Sequence, residues 1–267
     1  MNAPSGVITL TTDFGVQDSY VGTMKGVILR INPSATMVDL THQISPQSVL
    51  EASLVLESAY RFFPLGTIHL TVVDPGVGTH RRAILVEAGG FYFVGPDNGI
   101  FTRVLEAEAE VRVFELTNPS FMLPRISDTF HGRDVFAPVA AYLSQGIAPE
   151  EFGPLVERPV ELALPQPRRW GTELQGEVIS IDSFGNVITN ISREAFDSAI
   201  AGRPFEITIN GRTIDQVHRT YQDAEAGRIL ALFGSGDLLE IAVAGGRADR
   251  RLGVGKGDPL VVSLRVD

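Results

Sequence analysis

The chain has 267 residues, 44% of them hydrophobic, with 22 Lys and Arg against 32 Asp and Glu and a formal net charge of -10. This is enough apolar content for one large core or two unequal ones, while the acidic balance and scattered basic residues argue against nucleic acid as a partner. The absence of Cys removes disulfides, thiolate nucleophiles and Cys-ligated metals. No apolar run reaches the roughly 20 residues of a membrane helix, and the N-terminus lacks the basic-then-apolar layout of a signal peptide. A cytoplasmic protein with no membrane partner is expected.

Val7 to Thr11 is a β-branched run ended by "TDFG". From Ser19, apolar residues Val21, Met24, Val27, Ile28 and Ile31 recur at helical spacing until Asn32 and Pro33 stop the helix. The alternation continues with "TMVDLTH" as a strand, "SVLEASLVLESAYRFF" as an amphipathic helix, "TIHLTVVD" and "RAILVEA" as strands, and then "FYFVGPDNGIFTRVLE". In "SDTFHGRDVFAPVAAYL", Val135, Val139, Ala140 and Leu143 form a helical stripe from Asp134 onward, which makes "FHGRD" the loop entering that helix. The pattern predicts a layered α/β domain with a largely parallel sheet. Ligands of such sheets sit beyond the carboxyl ends of the strands, where "TDFG", "VDPGVG" and "GPDNG" all fall.

After Ala163 the texture changes. "LPQPRRWGTELQ" reads as a linker, and the domain boundary is expected near residue 166, giving an α/β domain over 1–166 and a smaller β domain over 167–267. The short runs "GEVISIDSFGNVITNI", "FEITINGRTI", "RILALFGSGDLLEIAV" and "PLVVSLRV" predict an antiparallel sandwich or barrel, with a hairpin turn at Asn210-Gly211.

Several polar groups stand out on chemical grounds. Asp13 either caps the turn after its strand or accepts hydrogen bonds from vicinal hydroxyls, as acidic residues hold ribose in nucleotide-binding folds. Asp18 and Ser19 are both candidate N-caps. In "VDPGVGTHRR", Pro75, Gly76 and Gly78 shape a loop for close approach. Asp74 and Arg81 flank it, as a surface ion pair or as functional groups in a crevice. His131 lies at a helix N-terminus, which favours bound negative charge. With five His and no HxH or HExxH spacing, zinc is not expected. Asp182, Phe184 and Asn186 in "IDSFGNVITN" either form a tight turn or stack on and hydrogen-bond a flat heterocycle.

Taken together and in order, "TTDFG", "VDPGVGTHRR", "GPDNGIF", "FHGRDVFAP" and "IDSFGNVITN", spread over residues 7–190, resemble the S-adenosyl-L-methionine hydrolase family, also called S-adenosyl-L-methionine hydroxide adenosyltransferases. The family is related to the enzymes that make 5'-fluoro- and 5'-chloro-deoxyadenosine. The resemblance implies cleavage of S-adenosyl-L-methionine by water to adenosine and L-methionine without metal or cofactor. It further implies a homotrimer with sites at subunit interfaces, and a catalytic set of Asp74, Arg81 and His131. It assigns Asp13 to the ribose hydroxyls, Asp18 and Ser19 to the methionine end, and Asp182 and Asn186 to the methionine or adenine parts. Phe184 and Tyr221 fall near the purine, and Ser235 at the amino-acid end, although Gly236 stands where halogenating relatives carry an Arg. Those relatives place Tyr at the position of Asp74, Thr near Val77 and Ser at Gly132, and a carboxylate at 74 repels halide. Halide transfer, and a nucleoside-binding sensor without turnover, are the alternatives.

Overall fold

The computed structural model describes residues 3–265. The chain forms two compact units divided between Ala163 and Leu164. The first contains, in order, β1 (Val7–Thr12), α1 (Tyr20–Ile31), β2 (Thr36–Thr41), α2 (Val49–Ala59), β3 (Ile68–Val72), β4 (Ala83–Ala88), β5 (Phe91–Pro96), α3 (Thr102–Ala107), β6 (Val111–Glu115) and α4 (Ala137–Ser144). Its six-stranded sheet has the order β2-β1-β3-β5-β4-β6. The β1–β2, β1–β3 and β3–β5 pairs are parallel, and β4 alone runs against its neighbours β5 and β6.

Period-two alternation builds a three-layer unit. Ile8, Leu10, Ile68, Leu70, Val72 and Val94 pack on one face with Met24 and Ile28 of α1 and Val139 and Leu143 of α4. Ile84, Val86, Phe91 and Phe93 pack on the other with Leu56 of α2 and Val104 of α3. His69 shares this second face, stacked on Phe93 at 5.1 Å between ring centroids and fully buried. Its Nδ1 lies 2.8 Å from Thr9 Oγ1. Burial alone pushes its pKa down to about 3.

The second unit contains β7 (Arg168–Trp170), β8 (Glu173–Ile181), β9 (Val187–Ser192), α5 (Arg193–Ile200), β10 (Phe205–Ile209), β11 (Arg212–Ile214), β12 (Val217–His218), β13 (Ile229–Phe233), β14 (Leu238–Val243), α6 (Ala248–Leu252) and β15 (Pro259–Leu264). The strands run β11-β10-β15-β8-β9-β14-β13-β12, with β7 paired to β8. Every neighbouring pair is antiparallel except β12–β13. Residues from opposite ends of this order, Ile214 and Ile207 with Val217 and Ala231, share one core with Val178, Ile191, Ile241 and Leu260, so the sheet curls into a nearly closed barrel. Asn210 (φ 40) and Gly211 (φ 70) make the hairpin turn between β10 and β11 that the sequence predicts.

Two local expectations are corrected. The stretch 164–175 is not all linker, because Arg168–Trp170 pairs with Glu173–Gln175 across a turn at Gly171 (φ 59). Its polarity reflects an exposed edge strand, with Trp170 80% exposed, rather than irregular chain. The helix after "FHG" begins a turn earlier than its apolar stripe, as a π-helical turn over Gly132–Phe136 that runs into α4. Among the described residues no helix is long and apolar enough to cross a membrane.

Candidate functional site

Strand order explains how the first unit assembles its polar cluster. β5 lies between β3 and β4 in the sheet, although β4 precedes it in the chain. Residues 73–82, which join β3 to β4, therefore cross over the carboxyl end of β5. The segments after β1, β3, β5 and β6 all leave from this same edge.

Asp74 and Arg81 stand at the two ends of the crossing loop. Arg81 Nε donates to Asp74 Oδ1 at 2.9 Å and to Oδ2 at 3.1 Å, and Arg81 Nη2 also binds Oδ2. The side chains of Arg81 and Asp74 are only 10% and 5% exposed, so this is no surface ion pair. Arg81 Nη2 also lies 2.8 Å from His131 Nδ1. A guanidinium can only donate, so His131 Nδ1 accepts, and the neutral ring carries its proton on Nε2. Burial, then the Arg81 charge, hold the His131 pKa below its ordinary value against the weaker opposing pull of Asp74, Asp134 and Asp128. The guanidinium carbon lies 5.3 Å from the Phe136 ring centroid, so an aromatic face supports it.

Gly78 lets the two loops meet. It sits at φ 75, and a Cβ there would lie 2.2 Å from the backbone oxygen of Asp128. On the other side, Phe14, Tyr20 and Phe130 form a mutual cluster with centroid separations of 5.2–5.9 Å, joining the loop after β1 to the segment before His131.

The remaining residues of this unit divide. Asp13 is half-buried, and its Oδ2 accepts from Gln47 N at 2.8 Å, a residue at φ 63. It therefore ties down a turn, with its other oxygen unengaged among the described residues. Asp18 and Ser19 are exposed. Ser19 occupies the N-cap position of α1, but its side chain makes no cap hydrogen bond, so capping does not account for it.

In the second unit, Asp182 and Asn186 close one turn on each other. Asn186 N donates to Asp182 Oδ1 at 2.8 Å and Asn186 Nδ2 to Oδ2 at 2.9 Å. Phe184 projects from that turn, 76% exposed, and is not the buried anchor that a purely structural turn would use. Tyr221 donates its hydroxyl to Glu240 Oε2 at 2.9 Å. Burial, Glu240 and the field of Asp182 push its pKa up to about 12. Ser235 is exposed in the β13–β14 turn. That turn closes on Glu240 as well, since a Cβ at Gly234 would lie 1.7 Å from Glu240 Oε1.

Sequence reasoning left Asp134, Glu240, Asp97 and Asn98 without a role. Asp134 is fully buried, paired with Arg133 and accepting from Ser127 N at 2.8 Å, and it fixes the segment that carries His131. Glu240 joins Tyr221 to the Ser235 turn. The "GPDNG" motif reaches the crossing loop through Asp97 and Asn98. The sequence placed this motif beyond the carboxyl ends of the strands but gave neither residue a role.

Comparison with known proteins gives matches across both units. Residues 8–153 match the model of the SAM hydroxide adenosyltransferase N-terminal domain and residues 176–261 that of the C-terminal domain. The chain is 39% identical over 264 residues to the (R)-S-adenosyl-L-methionine hydrolase of Salinispora tropica, covering 98% of this chain and 99% of the relative. A fluorinase from an Actinoplanes species is more distant, at 29% identity over 73% of this chain and 75% of its own. The crystal structure of an uncharacterized conserved protein from Thermotoga maritima superposes with a TM-score of 0.90 at 38% identity, covering 96% of this chain and 99% of that one.

Proposed function

Because the chain belongs to the SAM hydroxide adenosyltransferase family, we propose that it cleaves S-adenosyl-L-methionine with water to adenosine and L-methionine. The name of its curated relatives points to the (R) configuration at sulfur as the epimer consumed. The observation that carries the reading is the single guanidinium of Arg81 binding both Asp74 and His131.

The substrate defines the task. Its sulfonium leaves as a neutral thioether, so departure needs no general acid, Lewis acid or cofactor. Water oxygen bonds to ribose C5' in line with the breaking C5'–S bond, whose electron pair goes to sulfur, and the water gives up one proton. Asp74 keeps lone pairs beyond those Arg81 uses and takes that proton. His131 is occupied at Nδ1, so it contributes Nε2–H as a donor that orients the water oxygen. Arg81 holds both groups in place and stabilises negative charge developing on the oxygen.

Asp13 serves the ribose hydroxyls, and Asp18 and Ser19 the methionine end. Asp182, Asn186, Phe184, Tyr221 and Ser235 form the complementary set for adenine and methionine. The exposure of Phe184 supports this assignment, because an unpartnered aromatic face is what a purine stacks on. The enzyme acts in the cytoplasm as a homotrimer with substrate sites at subunit interfaces, and light scattering tests that assembly. Halide transfer is disfavoured by the carboxylate at position 74, which repels an incoming anion. Incubation with substrate in ¹⁸O-enriched water tests the reaction. Label in the adenosine 5'-hydroxyl is expected, and a lack of adenosine or unlabelled adenosine overturns the proposal.

A further inference from the structure

The "GPDNG" segment after β5 makes two contacts that flank the Asp74–Arg81 pair. Asn98 Nδ2 donates to the carbonyl of Val73, immediately before Asp74, at 2.9 Å. Its Oδ1 accepts from Ile100 N at 3.2 Å, which fixes the orientation of the amide. One residue earlier, Asp97 Oδ2 accepts from Arg82 Nε at 2.7 Å, and Asp97 N donates to the carbonyl of Arg82 at 2.9 Å. Arg82 immediately follows Arg81. Asp97 is only 4% exposed, and its second oxygen accepts from Val160 N at 2.7 Å, so the carboxylate is itself held.

Topology makes this arrangement possible, because the β3–β4 connection passes over the carboxyl end of the strand lying between them. Residue 98 meets the connection where it leaves β3, and residue 97 where it enters β4. Both glycines of the motif are needed for the fit. Gly99 sits at φ 91 with its would-be Cβ 2.5 Å from Leu162 Cγ, and a Cβ on Gly95 would lie 2.3 Å from the backbone oxygen of Thr71.

We infer that Asn98 and Asp97 are positioning residues that set the separation of Asp74 and Arg81 by clamping the neighbouring residues Val73 and Arg82. This rests on the hydrolase reading for its kinetic consequence but not for its geometric one. A loop holding reacting groups must keep them within a fraction of an ångström, since a displacement near 1 Å costs on the order of 10²-fold in rate. The internal hydrogen bonds of residues 73–82, such as Val77 N to Asp74 O at 3.2 Å and Thr79 N to Gly76 O at 3.1 Å, shape its tip but do not anchor its ends to the sheet.

The test uses Asn98→Asp, which keeps the acceptor for Ile100 N and turns the donor toward Val73 into a repelling oxygen, together with Asn98→Ala and Asp97→Asn. Two readouts are taken on the full chain. These are kcat and KM for adenosine release, and the His131 imidazole titration followed by NMR with His131→Gln for assignment. The expected result is a fall in kcat of about 10- to 100-fold with KM little changed, and an upward move of the His131 titration as Arg81 withdraws. If Asn98→Asp does not fold, Asn98→Ala carries the same expectation without the added charge. Unchanged kcat, a loss confined to KM, or a loss of kcat with an unmoved His131 titration each overturns the inference. If the parent protein releases no adenosine, the hydrolase reading fails, and the His131 titration alone decides whether the clamp exists.

Discussion

Arg81 spends its donors on an acid on one side and an imidazole on the other, and each bond depends on the planar fork of a guanidinium. Lysine supplies charge without that fork. Arg81→Lys is therefore expected to lower kcat by roughly 10²-fold, checked by chromatography of adenosine. His69 offers a prediction about stability. Its pKa is about 3 in the folded protein and about 6.5 in an unfolded chain, so the unfolded state binds the extra proton throughout the interval between them. Stability contributed by the neutral ring is full above about pH 6.5 and is lost as pH falls toward 3, by up to about 1.4 kcal/mol per pH unit. Urea midpoints at pH 7 and pH 5 should differ less in His69→Gln than in the parent.

At the level of elements, glycines separate positions where a side chain is forbidden from positions where it is merely absent. At Gly78 both φ and the 2.2 Å approach to Asp128 exclude a side chain. Gly78→Ala should lower Tm and reduce kcat by about 10-fold or more, because loop and His131 segment are pushed apart. Gly26 in α1 is exposed, with nothing near its would-be Cβ. Gly26→Ala should therefore raise stability by about 0.5–1 kcal/mol in urea unfolding. Helices α1, α2 and α4 and strands β1, β2 and β3 were legible because their periodicity reports local geometry, whereas the short helices α5 and α6 of the second unit went unread among its strand signals. The π turn at Gly132–Phe136 was not legible, since its departure from helical spacing is set by packing of Val135 and Phe136 into the core rather than by sequence pattern. The pairing of Asp74 with Arg81 was legible as two charges flanking a glycine loop. The role of Asn98 was not, because it depends on β5 sitting between β3 and β4, a fact of strand order that no local signal carries.

Across the whole molecule, the apolar residues of the first unit pack on the two faces of its sheet, and those of the second enclose a separate barrel core. Two independent cores make all-or-none unfolding unnecessary. Calorimetry should give a total enthalpy larger than the van't Hoff value, and a single transition with equal enthalpies would refute that. The choice of spectroscopic probe matters here. The chain has one Trp, and Trp170 stands on the outermost strand β7, 80% exposed. An indole already bathed in water has little further colour change to offer on denaturation, so emission from this protein reports a rim and stays nearly silent while either interior dissolves.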